Sequence, residues 1–209
     1  GFEDGSILAW SLTEVDSISP QGQPQVVLFY TLLDTFKPFQ TTPVLSFSVL
    51  NFEALLERQE LSPSDEEANY ESYTECPDKK RAWVGICTSS EETIVTFVFG
   101  FCPEQDSFTS PKGQFCTADS YRTPHSGYQD VRIREDSLVA VAGWDHRIRL
   151  FLLEASGGCT PTQFRLQLRS LAILRYHSAS VQSVALGDPS SRLLASASTD
   201  QKVALWRVF

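Results

Sequence analysis

Three histidines, five cysteines and a scatter of serines and aspartates are the residues of this 209-residue chain whose types could do chemistry. A Ser, a His and an Asp brought together could make a hydrolytic nucleophile, and closely spaced His or Cys could hold a metal. Neither signature is present. His125, His146 and His177 are far apart in sequence, and no Gly-x-Ser-x-Gly elbow, His-Glu-x-x-His run or Cys-x-x-Cys pair occurs. Cys116 and His125 are too isolated to carry an argument. The five thiols (Cys76, Cys87, Cys102, Cys116 and Cys159) are odd in number and scattered, which fits buried small side chains in a reducing compartment better than a disulfide framework. The expectation is a chain with no catalytic residue, no metal and no cofactor.

The elements that hold these residues can be read from composition and periodicity. Hydrophobic residues make up 42% of the chain and charged residues 21%, enough for a folded core. Phe, Tyr, Trp and β-branched residues are abundant and long Ala/Leu/Glu/Lys runs scarce, which predicts an all-β class. The net charge of −9 argues against direct nucleic-acid or anionic-membrane binding. No apolar run approaches the roughly 18 residues of a membrane span, and Gly1 to Leu12 lacks the pattern of a signal peptide.

An internal repeat organises the chain. Asp4-Gly5-Ser6-Ile7-Leu8-Ala9-Trp10, Asp145-His146-Arg147-Ile148-Arg149-Leu150-Phe151 and Asp200-Gln201-Lys202-Val203-Ala204-Leu205-Trp206 superimpose without gaps. Each has an Asp, an aliphatic residue three positions on and an aromatic residue six on. Glu91 to Phe97 is a weaker copy with Glu for Asp. The last three copies recur about every 55 residues, the length of one four-stranded propeller blade with its loops. The first interval is longer by about 30 residues, and removing an insertion at 51–80 restores the period. Apolar runs at Ala82 to Cys87, Leu138 to Ala142 and Leu193 to Ser198 read as buried strands. Alternating segments at Val44 to Val49, Asp130 to Arg134 and Val181 to Leu186 read as the strands before them. Gln25 to Leu32 and Leu168 to Tyr176 read as outer strands.

His177, Ser196 or Ser198, Asp200 and Trp206 have the types and order of the buried hydrogen-bonded tetrad of WD repeats, and the chain resembles that family. The resemblance implies an all-β WD40 β-propeller over 1–209, in which these residues are structural. Asp145 to Phe151 departs from the pattern, with Phe151 for Trp and Gly143 where Ser or Thr is usual, so its tetrad is expected to be incomplete. The strand count ends without a fourth strand for the last blade. The chain is therefore expected to be the C-terminal portion of a seven-bladed ring, with residues before Gly1 supplying about half.

More narrowly, Gly1 to Ile7, Asp130 to Arg134, Ala142-Gly143-Trp144-Asp145-His146-Arg147 and Tyr176 to Gln182 resemble the family of ASTRA-associated, guanine nucleotide-binding protein β-subunit-like WD-repeat proteins. That resemblance implies a non-catalytic scaffold subunit of the ASTRA assembly, nuclear or nucleocytoplasmic. It links the chain to chromatin remodelling and to the co-chaperone machinery that matures phosphatidylinositol-3-kinase-related kinases. A signalling β-subunit-like adaptor is the alternative, and an enzyme on a propeller would need clustered acids, bases or metal ligands at the channel.

Two surfaces are candidates for partners. Trp144, His146 and Arg147 surround a tight turn expected to open onto one face of the ring, where an aromatic residue can anchor a partner or else pack on a neighbouring blade. The segment 51–80 has nine acidic and three basic residues and reads as a solvated insertion, with a docking strip for a basic partner as the other reading. Phe52 to Gln59 could form a short helix within it.

Overall fold

A computed structural model describes residues 3–18, 24–51, 81–102, 112–125, 127–157 and 164–208. The expected helix at Phe52 to Gln59 and the acidic residues that follow lie outside them. All thirteen regular elements among the described residues are strands. They run β1 (Ile7–Ile18), β2 (Pro24–Phe36), β3 (Ser46–Asn51), β4 (Arg81–Thr88), β5 (Thr93–Cys102), β6 (Lys112–Arg122) and β7 (Tyr128–Ile133). β8 (Leu138–Gly143), β9 (Arg147–Gly157), β10 (Phe164–Arg175), β11 (Val181–Leu186), β12 (Leu193–Ser198) and β13 (Val203–Arg207) follow.

The strands form antiparallel meanders in sequence order, as short runs joined by tight turns must. Two sheets are four-stranded (β3 to β6 and β7 to β10), β11 to β13 make a three-stranded one, and β1 pairs with β2. β3 keeps its pairing as far as Asn51, which lies opposite Trp83, so the chain leaves that sheet only after the first residue of the expected insertion.

The hydrophobic core lies between the sheets. One layer packs Val84, Ile86 and Val98 against Val131, Val139 and Phe151. A second packs Ala140, Ile148 and Leu150 against Val184 and Leu194. A third joins Ile7 and Phe39 to Val95 and Phe97. β8 is buried on both faces at all six residues, which explains its unbroken apolar run. In the last sheet one face is exposed, with Leu193, Val203 and Leu205 open to solvent.

Carboxylates fasten the sheets together at equivalent positions. Ser46, Asp130 and Ser183 occupy the same register on the inner strands β3, β7 and β11. The Ser46 hydroxyl donates to Asp130 Oδ1 at 2.8 Å, while the Ser183 hydroxyl and the Val184 N–H donate to Oδ2 at 2.9 and 3.0 Å. One buried side chain thus bridges three blades. Asp34 on β2 and Asp119 on β6 also share a register, each opposite the residue before the repeat's aromatic position. Asp34 accepts the Phe115 N–H of the next outer strand at 2.8 Å, and Asp119 accepts that of Leu166 at 3.0 Å.

Candidate functional site

The turn between the second and third strands of each repeat begins with the acidic residue, and the residue after it takes a left-handed backbone in three copies: Gly5 (φ 81°), His146 (φ 68°) and Gln201 (φ 65°). In the last two copies the Asp carboxylate lies against the loop that precedes the inner strand, Asp145 near His125 and Asp200 against Ser178. In the last repeat the carboxylate meets His177. Asp200 lies 3.1 Å from His177 Nδ1 and accepts the backbone N–H groups of Ser178 and Lys202 at 3.0 and 3.1 Å. His177 Nε2 is 2.9 Å from the Ser196 Oγ, which accepts the indole N–H of Trp206 at 2.9 Å.

Every proton in this set has a use when His177 is neutral. Trp206 donates to Ser196, Ser196 to Nε2, and Nδ1–H to Asp200, an assignment that follows from the network. Burial works against the Asp200 charge, but the Ser178 N–H and the His177 ring outweigh it and bring the carboxyl down to about 2. Ser198, the other serine considered from sequence, makes the turn instead: its hydroxyl donates to the Ala179 and Ser180 carbonyls and accepts the Asp200 N–H at 3.2 Å.

Ser196, His177 and Asp200 have the composition of a hydrolytic triad, but their surroundings oppose that chemistry. The Ser196 residue is 2% exposed, and its oxygen already accepts from Trp206. A nucleophile must be reachable by a carbonyl carbon and lie beside an oxyanion site. This serine instead ties two strands and a loop together.

The preceding repeat solves the same problem with other residues. Asp145 accepts two hydrogen bonds from Arg149, at 2.9 and 2.7 Å, where the last repeat has Ala204. The Arg149 guanidinium lies 5.5 Å over the ring of buried Tyr128. The Tyr128 hydroxyl donates to the His125 carbonyl at 2.9 Å and also bonds Thr123. Burial opposes the Asp145 charge, yet the Arg149 hydrogen bonds and the charges of Arg149, His125 and Arg147 hold its carboxyl below the usual range. Strand register aligns Gly143 with Ser198 and Val141 with Ser196, so the residue that replaces the bonding serine is Val141. His125, set aside on sequence grounds, belongs to this cluster.

Residues 168–207 match the family described as WD domain, G-beta repeat. The last sheet is a WD repeat. Its tetrad links the WD-repeat strands β12 and β13 to the loop after β10. ASTRA-associated protein 1 of Schizosaccharomyces pombe is 36% identical over 89 residues, covering 42% of this chain and 21% of that protein. Guanine nucleotide-binding protein subunit beta-like protein 1 of Mus musculus is 34% identical over 91 residues, covering 43% of this chain and 24% of that one. The chain therefore spans about a fifth of the first of these relatives and about a quarter of the second. A chain of the solved structure "Apo ctPRC2 in an autoinhibited state" superposes with a TM-score of 0.43 at 12% identity, over 79% of this chain and 28% of that one.

The three residues expected to meet partners lie together beside the WD repeat. Trp144 is 40% exposed, and His146 is exposed. Arg147 has its Nε 3.9 Å from Asp145 and keeps part of its side chain in solvent. Trp144 packs on Gly127 in the loop between β6 and β7.

Proposed function

We propose that the chain is part of a non-catalytic WD-repeat scaffold that works as a subunit of the ASTRA assembly. The observation that carries this reading is the burial of Ser196 within the His177–Asp200–Trp206 set, which turns the residues best suited to chemistry into internal fastenings. The WD repeat and the similarity to ASTRA-associated protein 1 support the choice of assembly. On this reading the protein is nuclear or nucleocytoplasmic and serves chromatin remodelling and the co-chaperoned maturation of phosphatidylinositol-3-kinase-related kinases. Trp144, His146 and Arg147 form its contact face.

Affinity purification of the full-length protein from its source cells, followed by mass spectrometry at moderate salt, tests the reading. ASTRA or kinase co-chaperone subunits are the expected co-purifying proteins. Their absence from the retained fraction would remove the functional assignment and leave the fold unchanged.

A further inference from the structure

The face at Trp144 has a chemistry that specifies its occupant more narrowly than the scaffold reading on which this step rests. The indole is held in place from two sides. Its Nε1–H donates to Gln129 Oε1 at 3.0 Å. The indole lies directly against Gly127, where φ is +85° and an added Cβ would come within 2.1 Å of it. The N–H is satisfied, backbone at Gly127 abuts the indole, and the residue remains 40% exposed. An aromatic side chain fixed this way loses little freedom when something packs on it.

Cationic and aromatic side chains crowd this turn, while Glu91 and Glu92 of the neighbouring turn bond Thr42 and Arg122. Asp145 is the carboxylate at the centre of the turn, and Arg149, buried behind it, takes both its oxygens. Arg147 and His125 stand at 3.9 and 4.0 Å from the same carboxylate with 34% and 44% of their side chains exposed. One carboxylate thus faces two guanidiniums and an imidazole, and His146 projects from the same turn. On the adjoining WD repeat, at the same end of the sheets, Lys202 lies 5.5 Å over the ring of exposed Tyr176. The carboxylate beside it, Asp200, is committed to His177 and two backbone N–H groups. Exposed cations and flat aromatic surfaces therefore coincide on a chain whose net charge is −9.

We propose that the surface formed by Trp144, Arg147, His125, Tyr176 and Lys202 binds a short acidic segment of a partner protein, its carboxylates against Arg147 and Lys202 and an apolar side chain on the Trp144 ring. Charge complementarity sets the class of partner, and the fixed indole supplies the anchor.

The test is fluorescence anisotropy with a fluorescein-labelled peptide of about a dozen residues alternating Glu with Phe and Leu, titrated with the full-length protein. A matched peptide with Lys in place of Glu is the control. Binding of the Glu peptide is expected to weaken about tenfold in Arg147→Gln and in Trp144→Ala, to recover partly in Trp144→Phe and to fall with salt, with the Lys peptide not binding. Thermal melts of each variant establish that it is folded. Equal affinity for both peptides, no binding of the Glu peptide, or unchanged affinity in folded Arg147→Gln and Trp144→Ala would each overturn the proposal. None of these outcomes bears on which subunits co-purify, so the scaffold reading stands or falls separately.

Discussion

The Ser196 hydroxyl serves two strands and a loop at once, and its removal leaves two ring nitrogens without their partner. Ser196→Ala is expected to cost about 1–3 kcal/mol, the usual penalty for stranding a buried polar group, measured by urea denaturation. Asp200 gives a pH signature. Its carboxyl lies at about 2 in the folded protein, against an ordinary value near 4 when unfolded. A depressed carboxyl binds its proton more readily in the unfolded chain, so its contribution is fully present above about pH 4 and is lost as pH falls toward 2. The difference in stability between wild type and Asp200→Asn should therefore shrink across that window, and a constant difference would contradict the assignment. Asp200 and Trp206 are legible because the six-residue offset between them recurs in the other copies, whereas His177, 23 residues before Asp200, is legible only through the resemblance to WD repeats. The choice between Ser196 and Ser198 stayed open because residues two apart in a strand share a face, and only the turn geometry separates them. Arg149 and Tyr128 were not legible as the counterpart cluster, since a guanidinium over a phenol ring replaces the expected side chains by a different physical route.

Asp130 couples strands of separate sheets, because its two oxygens reach different neighbouring strands. Asp130→Ala is expected to cost about 3 kcal/mol, since it leaves the Ser46 and Ser183 hydroxyls and the buried Val184 N–H without their acceptor. Ser183→Ala in the same background should add little further, because both changes remove one shared contact. Additive losses in denaturation midpoints would mean that Asp130 and Ser183 act independently. The alternation of Val181 to Leu186 located β11 to the residue, and the apolar runs located β8 and β12 within a residue. The sequence pattern does not mark β6 as a strand. Its Gly113, Gln114, Asp119 and Ser120 dilute the apolar pattern, and pairing with β5 supplies what local propensity lacks. The matching of Asp34 with Asp119 was hidden by the long segment between β3 and β4, which breaks the spacing between those two repeats.

At the scale of the whole molecule, burial is greatest where a sheet has neighbours on both faces. Amides of β8 should exchange with deuterium most slowly and those of β13 among the fastest, read by hydrogen–deuterium exchange mass spectrometry. Equal protection of the two strands would show that the sheets open together and not one by one. The repeat itself was legible because each unit carries the same turn, whereas the fastening between units was not, since its partners come from separate repeats. Asp34 and Asp119 have a consequence for how such an array could have grown. Each lies on the last strand of its blade and accepts from the blade that follows. A tandem duplication that copies one whole blade copies the coupling with it, so the new unit arrives already equipped to hold its successor.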